Sequence, residues 1–190
     1  MRPAIILVII AAIILAARCS GRAHAQDGPP ASVPLLVSGV QVCHATPAPG
    51  GWYTARHCMY AGRSHTPAGG PSLPYSLDAG RDLAHLGAVA ISAPLAEPDP
   101  GDHLTWRNPR GGGVYEAYAA VLLPGQYVPS LMLCPVSGEQ LRGGDSGSGL
   151  WLATADGWAL AAIFTHYTRA QDGAGVCPGG GMQIFATVVP

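Results

Sequence analysis

Near the C-terminal end, the stretch RGGDSGSGL (Arg142–Leu150) sets four glycines and two serines around one aspartate. A run of this kind serves as a tight turn that needs positive φ angles. It also serves to hold a serine nucleophile on a turn whose bared N–H groups receive a developing negative charge. A serine hydroxyl attacks at neutral pH only beside a general base, and the base needs a third group to orient it. Two upstream stretches supply both types: YTARHC with His57 and RDLAHL with Asp82. Singly, each has an ordinary reading: a partly buried polar residue beside a cysteine, a turn-forming aspartate, a glycine-flanked loop serine. Together, His57, Asp82 and Ser146 are the minimum set for serine-based acyl transfer. Asp78 is a weaker stand-in for Asp82, because no Leu-Ala strand start follows it. His44, His65, His85 and His103 sit in no motif and are expected to be structural or exposed. The glycines do not form a G-x-S-x-G elbow around Ser146, and the alternating helices of an α/β-hydrolase are missing.

The elements that must position these residues read as strands. PLLVSGVQVC, GWYTARHC, DLAHLGAVAI, YEAYAAVLL, SGLWLAT, WALAAIFTHY and MQIFATVV are short apolar or alternating runs between Gly/Pro turn signals. Only YEAYAAVLL has a helix-friendly composition, and Gly113 and Pro124 bracket it. Many strands without helical patterns between them predict an all-β sandwich or barrel. The 190 residues suit one domain or two small halves, and 26 glycines with 18 prolines suit many turns. The Pro/Gly-rich piece over 94–113 is the candidate connector, and no internal repeat is evident.

The N-terminus carries Met1-Arg2-Pro3, an uncharged run from Ala4 to Ala17, and a polar segment ending in Ala23-His24-Ala25. This pattern predicts a secretory signal over 1–25, cleaved before Gln26. The run falls short of the roughly 20 residues a spanning helix needs, and the alternative is a retained N-terminal anchor, favoured by Arg18 and Arg22. The mature chain then has seven arginines against eleven acids, a net of −4. No basic footprint for nucleic acid is left. Four cysteines remain, Cys43, Cys58, Cys134 and Cys177; an even number in an exported chain favours two disulfides, with three connectivities open. No C-x-x-C pair exists and His44 beside Cys43 lacks spaced partners, so no metal site is expected.

The order His, Asp, Ser and the flanking residues resemble the chymotrypsin-like (trypsin-fold) serine proteases. TARHC is similar to that family's T-A-x-H-C, DLA to its D-[IL]-A, and GDSGS to its G-D-S-G-[GS]; the likeness runs from about Val37 to the last strand. It implies an all-β fold of two packed six-stranded antiparallel barrels, the first over about 33–95 and the second over about 114–190, in one protease domain spanning 26–190. His57 and Asp82 would come from the first barrel and Ser146 from the second. Gly144 and Ser146 would supply the oxyanion-hole N–H groups. Cys43 would pair with Cys58 and Cys134 with Cys177. Asp145 would lie beneath the turn and need a cation; with no IVGG-like start visible, Arg107 or Arg110 is the candidate, and no activation cleavage is expected.

The resemblance also implies a specificity pocket, placed by counting at Gln140 with Glu139 adjacent, and along IFTHYT at Thr165, His166 and Tyr167. A histidine on that strand is found in members that cleave after Glu or Gln; a one-residue register change would turn His166 away. Departures from the family pattern are Arg56 beside the histidine, Arg142 where a cysteine is common, Ser148-Gly149 after the serine, and no C-terminal helix. The separations of 25 residues from His57 to Asp82 and 64 from Asp82 to Ser146 imply trimmed loops. The expected activity is that of an exported, monomeric serine endopeptidase acting on polypeptides, periplasmic or secreted, with no cofactor, no nucleic acid and no membrane contact once the signal is removed. The alternative is a catalytically silent homologue that uses the same cleft for binding.

Overall fold

The computed structural model describes residues 28–87, 93–168, 177–178 and 182–190. Among them there is no α-helix, and twelve strands make up two antiparallel halves. In the first half, β1 (Val33–Val37) and β2 (Val40–Ala48) form a hairpin. PLLVSGVQVC is therefore two strands, folded back at Ser38-Gly39, where both φ angles are positive (50° and 84°). That pair of angles matches the twist of the flanking strands. Next come β3 (Gly51–Thr54), a single 3₁₀ turn (Arg56–Cys58), β4 (His65–Pro67), β5 (Tyr75–Leu77) and β6 (Ala84–Leu86), in the sheet order β4-β1-β2-β3-β6-β5.

This first half is not a fully hydrogen-bonded barrel. Its end strands β4 and β5 are not paired; the gap is bridged by the Leu73 N–H to His65 carbonyl bond (3.0 Å) and by the His65 ring lying edge-on to Tyr75 at 4.9 Å.

The second half closes completely. Strands β7 (His103–Asn108), β8 (Gly111–Val121), β9 (Ser130–Gly138), β10 (Gly149–Thr154), β11 (Gly157–Thr168) and β12 (Gln183–Val188) run in the order β10-β11-β12-β9-β8-β7, and β10 returns to β7 through Leu150 opposite Trp106. Closure leaves no unpaired sheet edge across most of the half. Its centre is filled by Leu104, Trp106, Tyr115, Leu133, Leu150, Phe164 and Ile184, all essentially buried. Each such side chain contributes roughly 1.5–3 kcal/mol. YEAYAAVLL lies in β8 as far as Val121, because its alternating face packs into this barrel.

The connector is shorter than its composition suggests. Leu104, Trp106 and Asn108 alternate inward along β7, so the strand begins at His103 and the barrel takes up the second part of 94–113. The first part, Pro94 to Ala96, runs along β11, exchanging backbone hydrogen bonds with Leu160. A separate apolar cluster joins the halves: Ala48 and Leu83 from the first against Trp151, Leu160 and Ile163 from the second. Leu83 follows Asp82 directly, so burying it in this joint fixes the aspartate between the halves.

Candidate active site

Ser146 stands on the turn between Leu141 and β10, and that turn is tied from beneath. Asp145 is almost fully buried and its carboxylate is crowded with donors. Oδ1 accepts from Asn108 Nδ2 (3.0 Å) and Arg110 Nε (3.1 Å), and Oδ2 accepts from the Arg142 N–H (2.9 Å) and Arg110 Nη2. Burying a carboxylate is tolerable only with such pairing. Of the two arginines expected as partner, Arg110 fills the role. Its other contacts, to Glu139 (2.9 Å) and the Gln140 carbonyl (3.0 Å), tie down the segment that leads into the turn, and the guanidinium, raised above its ordinary pKa first by the Asp145 hydrogen bond, is permanently charged. Tyr115 adds a brace: its hydroxyl accepts from the Leu141 N–H at 2.7 Å, and burial pushes its pKa up to about 12.

Two glycines are required here for different reasons. Gly144 has φ 89° with open space where a Cβ would stand, so the conformation alone selects glycine. Gly147 has φ 90°, and a Cβ would fall 1.9 Å from the His44 carbonyl oxygen, so the backbone of β2 passes too close for any side chain. In this geometry the Gly147 N–H bonds Phe164 O and the Asp145 N–H bonds Arg142 O, whereas the Gly144 and Ser146 N–H groups have no acceptor among the described residues. They are the two groups expected to face an oxyanion.

His57 sits on the 3₁₀ turn, pinned by the Cys43–Cys58 disulfide immediately after it. Its Nδ1 donates to Asp82 Oδ2 at 2.7 Å and its backbone N–H to Oδ1 at 2.9 Å. Burial alone would raise the Asp82 carboxyl, but the hydrogen bond from the His57 ring, its charge and its backbone N–H together hold it below the ordinary value. Asp82 is therefore a buried carboxylate with its two oxygens taken by one histidine. Ser146 Oγ, also buried, donates to the Thr165 carbonyl at 3.3 Å and shares no hydrogen bond with His57.

The residues expected to line one specificity pocket are spread apart. β11 carries an irregularity between Phe164 and His166, which turns the faces of the residues that follow. Thr165 consequently directs its hydroxyl inward to the Phe185 carbonyl (3.2 Å). His166 comes to the opposite side, with Nδ1 3.7 Å from Asp82 Oδ2 and its ring 5.5 Å from that of His57. It shares a cleft of about 360 Å³ with His57, Arg81, Asp82 and Tyr127. Gln140 lines a different depression, of about 550 Å³, with Arg110, Glu139, Leu141, Arg142 and Met182. The Tyr167 hydroxyl reaches over Gly143, 3.7 Å from where a Cβ would stand. Cys134 bonds Cys177, tying β9 to the segment before β12.

Sequence reasoning missed the residues that support the turn from a distance. His44, buried in β2, donates from Nδ1 to the Gly144 carbonyl at 3.0 Å, and its backbone N–H bonds Ser146 O at 2.8 Å. Asn108 joins Asp145 to Ser148. Ser32 receives the Gly149 N–H at 2.9 Å and contacts Thr46 at 2.7 Å. None of these sits in a short motif with Ser146; the adjacency of His44 to a disulfide cysteine was the only local hint.

No protein-family model and no curated protein matches the sequence. Solved structures do match its shape. A chymotrypsin from Cellulomonas bogoriensis aligns with TM-score 0.60 and 17% identity over 84% of this chain and 91% of that one. The murine norovirus NS6 protease, solved as an inactive cysteine-to-alanine mutant, aligns with TM-score 0.58 and 13% identity over 81% and 92%. A glutamic acid-specific serine protease, described as using a histidine triad in substrate binding, aligns with TM-score 0.56 and 14% identity over 82% and 91%. The closed barrel, the open six-stranded half packed against it, and these alignments give the chain the chymotrypsin-like protease fold.

Proposed function

We propose that the chain is a serine endopeptidase. The observation that carries this reading is the Asp82–His57 pair, joined at 2.7 and 2.9 Å, on the fold that also presents Ser146 with two N–H groups, its own and that of Gly144, that have no acceptor among the described residues. His57 takes the Ser146 proton as Oγ attacks the scissile carbonyl, and returns it to the leaving amine. Asp82 holds the ring in the tautomer with Nδ1–H and stabilises the imidazolium. The Gly144 and Ser146 N–H groups receive the oxyanion, and water then releases the acyl group from Ser146 by the same base. For this, Ser146 Oγ turns from the Thr165 carbonyl toward His57 Nε2; such bonds commonly tighten only when substrate is bound.

Serine rather than cysteine is the nucleophile in this reading, because Cys43, Cys58, Cys134 and Cys177 are consumed in disulfides. The same bridges, with the leader over 1–25, support export to an oxidising compartment. Polypeptide substrate fits the site: beyond Ile163 β10 no longer pairs with β11, so residues 166–168 pair with β12 on one side and offer the other edge to an added strand.

The Ser146–Thr165 bond favours, as a second reading, a silent homologue that binds peptides in the same cleft. Treating the mature protein with a serine-directed phosphonate separates the two. Covalent labelling of the wild-type chain, absent from Ser146→Ala, is expected. A folded wild-type sample that takes no label would favour the binding module.

A further inference from the structure

The proposed chemistry leaves His166 without a task. Asp82 already accepts two N–H groups from His57, and the 3.7 Å between His166 Nδ1 and Asp82 Oδ2 is too long for a hydrogen bond. Yet one nitrogen from each histidine and one Asp82 oxygen all lie within 4.8 Å of one another. Two imidazoles and a carboxylate are the ligand types Zn²⁺ prefers, with bonds of roughly 2.0–2.2 Å, which set tetrahedral ligands about 3.4 Å apart. The 2.7 Å and 3.7 Å separations bracket that value, so modest ring rotations bring all three onto one ion.

We propose that His57, Asp82 and His166 form a Zn²⁺ site whose occupation takes His57 out of service. Access favours it: Asp82 is buried at the back, while the His57 and His166 side chains are 43% and 48% exposed on the cleft, leaving the fourth position to water. On binding, the ion replaces the proton between His57 Nδ1 and Asp82, and that proton leaves to solvent. Arg56 and Arg81 also line the cleft; Arg81 pairs with the Asp78 carboxylate (3.5 Å) and Arg56 bonds the Asp78 carbonyl (2.7 Å). Their positive charge weakens cation binding, which suits a reversible site better than a structural one. The consequence for activity rests on the protease reading; the site itself does not.

The test is calorimetric titration of the chelator-stripped mature protein with Zn²⁺, repeated with Co²⁺ while its visible d–d absorption is followed. One ion per chain is expected. Affinity should fall by more than the roughly 10–100-fold that loss of an outer-shell partner costs in both His166→Gln and His57→Ala. His103→Gln, altered at an exposed histidine elsewhere, should bind as wild type, and so should Ser146→Ala. Where peptidase activity exists, Zn²⁺ should abolish it and chelator restore it. Unchanged Zn²⁺ binding in a folded His166→Gln, or no saturable binding by the wild-type chain, would overturn the site. Ion binding lost in both histidine variants supports the site even if the phosphonate labels nothing, so the two readings fail separately.

Discussion

His44 Nδ1 lies 3.0 Å from the carbonyl of Gly144, so a strand of the first half grips the turn that carries Ser146 in the second. Removing the ring frees the Gly144–Asp145 peptide, which lies between the two N–H groups, of Gly144 and Ser146, assigned to the oxyanion. His44→Ala should therefore lower kcat with KM little changed, by up to the roughly 10²–10³-fold seen when one oxyanion donor is lost. Steady-state kinetics on a peptide substrate would check this, and an effect confined to KM would contradict it.

The two glycines of the turn should respond differently to alanine. Gly144→Ala meets no neighbour but forces an alanine to φ near 89°, a strain of about 1–3 kcal/mol. The protein should fold with a lowered melting temperature and a slower reaction with phosphonate. Gly147→Ala places a Cβ against the His44 carbonyl and 2.4 Å from Thr54 Oγ1. Because the obstacle is backbone, this variant should fail to give soluble protein or should melt far lower, as thermal unfolding of the pair would show.

The contrast between these residues explains what was legible in the sequence. His57, Asp82 and Ser146 each stand inside a short motif, and the strands carrying them are bounded by turn residues. His44 and Gly144 are 100 residues apart, and only the packing of the halves joins them. β7 was hidden because HLTWRN, an alternating strand, lies between DPGD and NPRGGG, whose turn signals dominate composition. The face of His166 could not be read either: it depends on the irregularity after Phe164, and period-two reasoning has no means to place one. Asp145 required a cation on charge grounds alone, which left both Arg107 and Arg110 as candidates although each lies far from it in sequence; Arg110 prevails because its guanidinium reaches Asp145 with two nitrogens.

That two-nitrogen contact predicts that charge alone will not substitute. Arg110→Lys keeps the positive charge but not the planar fork, and should lose at least about tenfold in labelling rate. Arg110→Met leaves a buried carboxylate with Asn108 and one N–H, a loss toward the lower end of the roughly 3–5 kcal/mol typical of broken buried pairs. Denaturant unfolding of both variants would read the difference. Because Arg110 already satisfies Asp145, a chain beginning at Gly28 should retain full activity. A requirement for any particular new N-terminal amine would show as activity that varies with the starting residue.

Acidification should weaken the fold in two separate windows. His44 and His65 are both buried, and burial is the main cause that holds each below its ordinary pKa of 6.5. Above pH 6.5 both are neutral whether the chain is folded or not. Below it the unfolded chain gains protons that the folded chain refuses, so stability falls as the pH drops from 6.5 toward the lowered folded values. Asp82 acts later: its folded pKa lies below 3.8, so its contribution is intact above 3.8 and is lost as the pH falls through that lower value. Each unit of separation between folded and unfolded pKa is worth about 1.4 kcal/mol once fully expressed. Melting temperatures across this range should therefore decline in two steps for the wild-type chain. His44→Gln, which cannot titrate, should shrink the upper step to the share left by His65 and leave the lower one in place, whereas an unchanged upper step would show that His44 does not contribute to it.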